Sequence, residues 1–455
     1  MRRLTHFCIL DGDFVFDFVN KWIIGTSLPI VLIFAGVFFL FYLKFKPFTR
    51  TKKFIRCMTE PDQSEESVGI SPFRSVTMVL AGTLGVGNIV GVASAIAMGG
   101  FGAIFWMWIS ALCAMILKYA EIVLAVAHRP DGKVNRGGAM WYIKDGIKSK
   151  RLGAIFSGAF AALCVIDALS MGCIVQVNAL SGAVNGAFGA SKVWVGLLVA
   201  IMTALVITKG AKGISKLTEW LVPLMSLGYI VISVAVMIIC RDRLAWAFST
   251  IFKEAFALKS GFGGVAGFLM SDGLRYGTMR GLLSNEAGCG TAPFAHAASN
   301  THEPAKQGVW GIFEVFVDTI LLCTMTALVV IVSYDEVCSL APDGMLMTLR
   351  AYSVVLGEWS EYFLAVAVFL FAYATVICWS HYGGECVEWL AGERRLPRNL
   401  FNIAFCVCAF VGAVIAPEEI WTLADFSIGS MTLINVFVVC LMSREVREWT
   451  EKVFK

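Results

Sequence analysis

Two glycine-rich stretches interrupt long apolar segments of this chain, and each combines glycine with polar residues. The first reads Gly-Val-Gly-Asn at 85–88, and the second reads Gly-Cys-Gly-Thr at 288–291. In hydrocarbon an unpaired backbone group costs several kcal/mol, so a broken helix is tolerated only where it lines a cavity or is buried in protein. Paired glycine-interrupted segments in the two halves of a membrane protein indicate a transporter's substrate site. The two stretches therefore predict that the chain moves a small solute across a membrane.

The first stretch offers backbone groups to a ligand. Unwound peptide units present N–H groups to a carboxylate and C=O groups to a cation, and the following half-helix turns a positive dipole end toward an anion. Close helix packing is the competing interpretation, because Gly87 and Gly91 are spaced as in a GxxxG seam. Asn88 and Thr83 favour the functional interpretation, since polar side chains at mid-membrane need partners.

The second stretch is preceded by polar residues that include an acid, because residues 284–286 read Ser-Asn-Glu. An intramembrane carboxylate is a candidate for ligand or proton binding. The alternative, which we favour for Glu286, is structural: an ion pair with Arg275 or Arg280 would hold the broken helix in place. His296 follows in an alanine-rich stretch and is expected to be a packed, hydrogen-bonded core residue.

Four side chains in other apolar spans are candidates to face the same cavity. Gln176 and Asn178 lie in the span 153–181, where interhelical hydrogen bonding is the commoner role, and Gln176 is the better candidate. The Thr375 hydroxyl either completes the oxygen shell of a hard cation or bonds the carbonyl four residues earlier in its own helix. Trp379 either caps a small pocket or packs against its neighbours.

Charged residues inside apolar spans form a second group of candidates. Lys118 and Glu121 are spaced i,i+3 and are expected to pair with each other. Glu314 and Asp318 share one face of a span that contains no basic residue, so a structural role and proton handling both stay open. Asp167 is expected to pair across the bundle.

The composition decides the class of protein. Of the 455 residues, 58% are hydrophobic and 15% are charged, whereas soluble domains carry about 25% charged residues. The chain is therefore predicted to be an all-α polytopic membrane protein. No nucleophile elbow, HExxH, P-loop or zinc-like motif occurs, so we expect neither an enzyme, a resident metal cofactor nor a self-contained ATP-driven pump. The small net charge of +4 gives no reason to expect a nucleic-acid partner.

Eleven segments have the apolar character of a membrane span, which needs about 20 residues. They run 22–43, 75–99, 102–127, 153–181, 192–208, 217–240, 272–299, 308–333, 361–390, 399–416 and 419–442, and 272–299 qualifies only as two half-helices. Lysine and arginine cluster in alternate loops, notably 44–56 and 128–151, which predicts an outer N-terminus and a cytoplasmic C-terminus. The basic segment 241–260 is the exception and is expected to be amphipathic or re-entrant.

Setting the first span aside leaves ten, which divide five and five with one glycine break in the first helix of each half. Because five is odd, the second half has inverted topology relative to the first, as in secondary transporters. The predicted divisions are 1–70 (outer segment, extra N-terminal helix and cytoplasmic loop), 71–240 (first inverted repeat), 241–442 (amphipathic or re-entrant segment and second inverted repeat) and 443–455 (cytoplasmic tail).

Several motifs resemble the alanine or glycine:cation symporter family. They are GTLGVGNIVGVA at 82–93, GAIFWMW at 102–108, KYAE at 118–121, GLLSNEAG at 281–288, AHAA at 295–298 and WSHYG at 379–383. The resemblance covers most of the chain in the same order. It implies the leucine-transporter fold with an extra N-terminal helix, and sodium-coupled uptake of a small neutral amino acid, typically alanine or glycine, across a prokaryotic cytoplasmic membrane.

The same resemblance implies a set of binding residues. The substrate carboxylate would meet the first break, and the amino end would face Gln176 and the second break. Trp379 would limit the size of the pocket, and sodium would lie between carbonyls of the first break and the helix that carries Thr375. The implied substrate-binding residues are Thr83, Gly85, Gly87, Asn88, Gln176, Ser284, Asn285, Gly288 and Trp379, and the implied sodium ligands are Ala81, Leu84, Phe371 and Thr375.

The chain departs from the family's usual residues at several positions. The family commonly has threonine where Val86 stands, phenylalanine at Leu283, a second hydroxyl residue at Ala374, and asparagine at Cys173. A missing hydroxyl at 374 points to weaker sodium coupling or to coupling by protons through a carboxylate, and Leu283 would widen the pocket. A proton-coupled symporter of the same fold and a passive channel stay open as alternatives. A channel would need a continuous polar stripe, whereas polarity here concentrates at two mid-span points.

Overall fold

The computed structural model describes Gly25 and residues 27–59, 69–130, 137–256, 272–415 and 418–455. This part of the protein is helical and contains no β-strand, and an isolated bridge joins Ile70 to Ser299. Among the described helices, six are long and apolar enough to cross a membrane: 102–127, 150–188, 210–239, 304–332, 359–390 and 420–441. Shorter apolar helices accompany them at 28–42, 90–99, 192–207 and 344–356. The protein is therefore a multi-helix membrane protein, as its composition predicts.

The helices of the first half of the chain are α1 (Leu28–Tyr42), α2 (Lys46–Thr49), α3 (Thr51–Thr59), α4 (Pro72–Thr83), α5 (Val90–Gly99), α6 (Gly102–Ala127), α7 (Ala139–Gly146), α8 (Lys150–Leu169), α9 (Gln176–Phe188), α10 (Lys192–Ile207), α11 (Gly210–Ile239) and α12 (Arg241–Ala255). Those of the second half are α13 (Asp272–Asn285), α14 (Ala292–His296), α15 (Pro304–Val315), α16 (Thr324–Val332), α17 (Tyr334–Val337), α18 (Gly344–Leu356), α19 (Trp359–Leu390), α20 (Arg395–Gly412), α21 (Glu418–Leu441) and α22 (Ser443–Val453).

The first break, residues 84–89, separates α4 from α5. The helix ends at Thr83, and Gly85 adopts an extended conformation (φ −111°, ψ −157°). Residues 86–88 then form one turn of 3₁₀ helix before α5 begins at Val90. The glycine-rich run of the sequence thus interrupts the helix as predicted, because glycine adopts conformations outside the helical region at little cost.

The second break, residues 286–291, separates α13 from α14. Three of its residues have positive φ: Glu286 (51°), Gly288 (85°) and Gly290 (76°). Left-handed backbone costs a non-glycine residue roughly 1–2 kcal/mol, so contacts of the Glu286 side chain must hold it there. Pro293 occupies the first turn of α14, where its missing N–H does no harm.

Helix α6 lies at the centre of the bundle and is almost wholly buried. It packs along α13 and α15. At Gly277 of α13 an added Cβ would lie 2.1 Å from the Ala103 carbonyl oxygen, so only glycine permits this approach of the two helices. The close packing holds the first half of the second broken helix rigidly against α6.

Two segments of π-helix interrupt long helices next to the breaks. Residues 170–175 join α8 to α9, and residues 316–323 join α15 to α16. At Gly172 an added Cβ would lie 2.4 Å from the Trp379 side chain, so the first π segment admits the indole. Single π turns inside helices frequently mark functional sites, and both of these lie beside the polar residues described below.

The C-terminal helix α22 joins several elements at the end of the bundle where α6 ends. Glu445 accepts hydrogen bonds from the His128 ring (3.1 Å), and the Tyr119 and Thr450 hydroxyls are 2.9 Å apart. The Lys53 ammonium donates to the carbonyl of Val453 (3.3 Å). At the same end, Ile70 exchanges backbone hydrogen bonds with the segment after α14, from its N–H to the Ala298 carbonyl (3.0 Å) and from the Asn300 N–H to its carbonyl (2.8 Å).

The stability contributed by α22 is expected to depend on pH through His128. Burial lowers the pKa of this imidazole, but hydrogen bonds and charges of Glu445 and Asp145 outweigh burial and raise its pKa above the ordinary value of 6.5. A raised folded-state pKa gives stability that is fully present below about pH 6.5 and is lost as the pH rises through the folded-state pKa.

We expect His128→Gln, which removes the titration, to lower the melting temperature of the purified protein more at about pH 6 than at about pH 8.5. The difference in free energy should be a few tenths to about 1 kcal/mol, because the pair is partly exposed. His302→Gln, at an exposed histidine, is the control. An effect of His128→Gln that is equal at both pH values would contradict the assignment.

The observed helices fall on all eleven predicted spans, although their bounds differ by several residues at some ends. Helix α11 begins at Gly210 rather than near 217, and the fourth span extends to Phe188 instead of 181. The segment predicted to be amphipathic forms α12, which packs on α6. The outer segment 1–24 lies outside the described residues, and the division into inverted repeats and the orientation stay predictions.

Candidate functional site

A cavity of about 300 Å³ lies against the first break on the side of α5 and α13. Three of the predicted substrate-binding residues line it, namely Gly87, Gln176 and Ser284. The rest of the wall is formed by Val86, Val90, Gly91, Ser94, Met171, Val175, Asn178, Ala179, Gly182, Ala183, Arg280, Leu283, Met345 and Trp421. Ligand pockets measure about 300–1,000 Å³, so this cavity suits a small solute.

Gln176 fixes the backbone of the first break. Its side-chain oxygen accepts a hydrogen bond from the Val86 N–H (3.2 Å). An added Cβ at Gly85 would lie 2.8 Å from the Thr375 hydroxyl oxygen and 3.0 Å from the Gln176 side-chain oxygen. Glycine at 85 is therefore required for polar groups of two other helices to approach the main chain.

Three oxygen atoms of α4 and α19 converge beside the first break. The Thr375 hydroxyl lies 3.2 Å from the Ala81 carbonyl oxygen and 3.2 Å from the Phe371 carbonyl oxygen of its own helix. Leu84, whose carbonyl is the remaining predicted sodium ligand, is fully buried at the start of the break. The Thr375 hydroxyl thus reaches its own i−4 carbonyl, which was one of the two interpretations, and also a carbonyl of α4. A role as a cation ligand stays a prediction.

Asn88 and Ser284 connect the two broken helices through one carboxylate. The Asn88 amide donates to Asp318 Oδ1 (2.7 Å) and to the Ser284 hydroxyl (2.9 Å), and that hydroxyl donates to Asp318 Oδ2 (2.9 Å). The Thr319 hydroxyl also donates to Oδ2 (2.7 Å). All four side chains are buried, and Asn88 Oδ1 has no hydrogen-bond partner. An uncompensated carboxylate beside a free amide oxygen is an arrangement that suits a hard cation or a proton.

Two threonines that the sequence analysis did not single out hold the far end of the first break. Thr326 donates its hydroxyl to the Asn88 carbonyl (2.8 Å), and Thr348 donates to the Ile89 carbonyl (3.2 Å). The two hydroxyls thus anchor the main chain at the junction between the first break and α5. In the sequence, each of these threonines is only a polar residue in an apolar span. Such residues also occur at many positions where they contact no break.

Glu286 keeps the structural role that we favoured, but the expected ion pair with Arg275 or Arg280 is wrong. Its carboxylate accepts hydrogen bonds from the Thr291 hydroxyl (2.6 Å) and from the Trp379 indole N–H (3.2 Å). The left-handed backbone at 286 turns the side chain back across its own break, toward α14 and α19 and away from the arginines. The carboxylate therefore bridges the two ends of the second break.

The expected Lys118–Glu121 pair is also wrong. The Lys118 ammonium lies 2.5 Å from a Glu314 carboxylate oxygen and donates to the Asn285 carbonyl (2.5 Å) at the end of α13. Glu121 instead accepts from the Gly290 N–H (3.2 Å) and from the Asn435 amide. Both residues point at the second break, whose unpaired backbone groups compete successfully with the weak i,i+3 attraction.

Asp167 and His296 have the buried, partnered positions predicted for them, and the structure gives partners to Glu314 and Asp318, whose roles the sequence left open. Asp167 pairs across the bundle, where it accepts a hydrogen bond from the Ser427 hydroxyl (3.0 Å). His296 is a fully buried core residue whose Nδ1 lies 2.7 Å from the Gln307 amide nitrogen. Glu314 serves as the counter-ion of Lys118, and Asp318 accepts the polar side chains of the two breaks.

The remaining predicted substrate-binding residues do not line the cavity. Thr83 donates to the Val79 carbonyl of its own helix (3.3 Å), and Asn285 donates to the Thr319 hydroxyl (3.0 Å). The Gly288 carbonyl accepts from the Asn435 amide (2.8 Å), and Trp379 packs into the π segment at Gly172. These residues support the breaks from the side that faces α14.

The chemistry available at the two breaks is that of oxygen ligands. In the described part of the chain, no group of three or more His, Cys, Asp or Glu side chains is arranged to hold a metal ion. What the geometry provides is main-chain and hydroxyl oxygen beside the first break, a carboxylate between the breaks, and a small cavity between the first break and α13. These features suit reversible binding of a polar solute and a monovalent cation.

Comparison with known proteins agrees with this geometry. The chain matches the sodium:alanine symporter family over residues 11–455. It is 35% identical over 430 residues to the sodium/alanine symporter AgcS of Methanococcus maripaludis, covering 93% of each protein. It is 32% identical over 438 residues to the probable sodium/glutamine symporter GlnT of Bacillus subtilis, covering 95% of this chain and 89% of that protein.

Among solved structures, a Na⁺-coupled sialic acid symporter superposes with a TM-score of 0.52 at 12% identity, covering 96% of this chain and 87% of that one. At this identity the likeness shows the fold alone, which is of the leucine-transporter type. The family match, by contrast, spans almost the whole sequence and includes both breaks. The chain is a transporter rather than an enzyme, and it belongs to the sodium:alanine symporter family.

Proposed function

We propose that the protein imports a small neutral amino acid together with Na⁺ by alternating access. The observation that carries this proposal is the cavity of about 300 Å³ at the first break, whose wall includes Gly87, Gln176 and Ser284. The cavity lies on the side of α5 and α13, which the loop charges predict to be the outer side. Alanine is the first candidate, because it is named in the descriptions of the family and of the relative AgcS. Glycine is the second, as the sequence resemblance implies.

In this proposal the solute is held between the first break and α13. Its carboxylate meets the main chain of the first break around Gly85 and Gly87, and its amino group faces Gln176 and Ser284. Leu283 lies on the same wall and limits the side chain that fits. A glutamine symporter among the relatives indicates that pocket size varies within the family.

Sodium in this proposal binds beside the first break. The carbonyls of Ala81, Leu84 and Phe371 and the hydroxyl of Thr375 are the oxygen donors, and hard cations prefer such ligands. Two of the carbonyls already lie 3.2 Å from the hydroxyl. The loop charges favour an orientation with the N-terminus of the protein outside and its C-terminus in the cytoplasm. We propose the prokaryotic cytoplasmic membrane as the location.

Proton coupling is the second candidate, and the position of Asp318 favours it. This buried carboxylate has no cationic side chain among its hydrogen-bond partners, which are Asn88, Ser284 and Thr319. Ala374 also supplies no hydroxyl next to Thr375. A proton on Asp318 would neutralise the carboxylate that links the two broken helices.

Reconstitution into proteoliposomes tests the proposal. We expect concentrative uptake of radiolabelled alanine that requires an inward Na⁺ gradient and stops when an ionophore collapses that gradient. Uptake driven by a pH gradient without Na⁺ would select proton coupling, and downhill flux that never concentrates alanine would select a channel. Counterflow with a panel of small amino acids then identifies the preferred substrate.

The variant Thr375→Val is expected to raise the Na⁺ concentration for half-maximal uptake about tenfold, because a methyl group replaces one oxygen ligand worth roughly 1–1.5 kcal/mol. Alanine affinity at saturating Na⁺ should change little. Thr208→Val, at an exposed threonine, is the matched control. Unchanged Na⁺ dependence in Thr375→Val would remove this hydroxyl from the sodium site.

A further inference from the structure

One charged side chain lines the cavity, and the transport scheme above does not use it. Among the described residues of the wall, only Arg280 carries a formal charge. It lies on α13 four residues before Ser284, so the two side chains share a helix face and stand about one helical turn, or about 5.4 Å, apart along the axis. Arg280 thus lies farther from the breaks than Ser284 does.

The side chain of Arg280 lies against Gly91 of the facing helix. An added Cβ at Gly91 would lie 3.8 Å from Arg280 Cδ, so the aliphatic part of the arginine passes over α5 at this residue. Leu283, Met345 and Trp421 complete an otherwise apolar surrounding on the cavity wall. The guanidinium is therefore held at the cavity between α5 and α13 and does not extend into lipid.

The guanidinium has no carboxylate in hydrogen-bond contact among the described side chains. The charge of Asp425 on α21 acts on it, but no residue in the described part of the chain forms a hydrogen bond or a close ion pair with it. A cation within a membrane protein requires a partner. The planar fork of guanidinium donors matches a carboxylate in a bidentate arrangement, and every α-amino acid carries a carboxylate.

We propose that Arg280 is an outer docking site for the substrate carboxylate. An entering amino acid binds here first and then moves about one helical turn inward, where its carboxylate exchanges the guanidinium for the main chain of the first break. The inference rests on the proposed function, because it takes an amino acid as the solute. It also predicts a specificity: a solute without a carboxylate does not bind more tightly because of Arg280.

The test compares Arg280→Gln with the wild-type protein in proteoliposomes. We expect the KM for alanine to rise about tenfold, as for the loss of one charge-assisted contact, while the maximal rate stays within about twofold. Arg280→Lys keeps the charge but not the planar fork of donors, so its KM for alanine should lie between those of the wild-type protein and Arg280→Gln. The matched control is Arg275→Gln on the same helix, because Arg275 lies over the Tyr276 ring (5.5 Å) and off the cavity wall.

A second measurement separates docking from a structural role. Alaninamide lacks the carboxylate, so its inhibition constant should not be weakened by Arg280→Gln, whereas a deformed cavity would weaken both ligands. Asp425→Asn, which removes the competing charge, should lower the KM for alanine. An unchanged KM in Arg280→Gln, or equal weakening of alanine and alaninamide, overturns the inference. Failure of the wild-type protein to concentrate any amino acid would instead overturn the proposed function.

Discussion

Replacing Lys118 with methionine is expected to lower the free energy of unfolding by about 3–5 kcal/mol, the usual cost of removing one partner of a buried ion pair. Lys118 and Glu314 are both fully buried, and their charged atoms are 2.5 Å apart. The substitution leaves the Glu314 charge unpaired and also frees the Asn285 carbonyl at the second break. The melting temperature in detergent and the yield of monodisperse protein both report this loss.

The double variant Lys118→Met/Glu314→Gln should recover a large part of the loss, since no uncompensated charge then remains in the core. Lys192→Met, at an exposed lysine, is the control for the loss of a positive charge. If Lys118→Met unfolds no more readily than Lys192→Met, the ion pair does not support the second break. If the double variant is no better than the single one, the Asn285 carbonyl is the more important contact.

Asp318→Asn is expected to reduce Na⁺-driven uptake about 100-fold, because two charge-assisted hydrogen bonds worth roughly 1.5 kcal/mol or more each are weakened. An asparagine at 318 carries one oxygen in place of two, so at least one of the donors Asn88, Ser284 and Thr319 loses its acceptor. The variant also removes the formal charge of the carboxylate that links the two broken helices. Initial rates of alanine uptake measure the effect.

The matched control for this variant is Asp242→Asn, because Asp242 is exposed at the start of α12. Substrate binding measured without an ion gradient distinguishes two origins of the loss. Weakened binding of alanine at every Na⁺ concentration indicates that the carboxylate organises the substrate site. A loss confined to Na⁺-driven uptake indicates a direct role in coupling, and undiminished uptake would remove Asp318 from the mechanism.

The sequence predicted the features that depend on local chemistry. Both breaks follow from glycine beside polar residues in apolar spans, and the structure places them between α4 and α5 and between α13 and α14. The apolar spans themselves follow from length and hydropathy. Gln176 and Thr375 could be recognised because each is a polar residue at mid-span, near the level of a break, and both contact the first break.

The sequence did not predict which distant groups meet. Lys118 has a carboxylate three residues away, but its partner is Glu314, and the local spacing carries no information about a contact of that separation. The same holds for Asp318, whose carboxylate accepts a hydrogen bond from Asn88 in the first break, 230 residues away in the chain. The π segments were also unforeseen, because they arise from packing such as that of Trp379 against Gly172. Electrostatic partners in a buried core are set by which helices are neighbours, and periodicity does not encode this.

The short pairing of Ile70 with residues 298–300 has a consequence for how the transport cycle can be observed. It joins the segment just before α4 to the segment just after α14. These two segments must separate if the end of the bundle at which they lie opens in the proposed transport cycle. The amide protons of Ile70 and Asn300 are hydrogen-bonded only while these two segments are paired. The rate at which they exchange with deuterated solvent would therefore report how often the two segments separate, without a mutation or an attached probe.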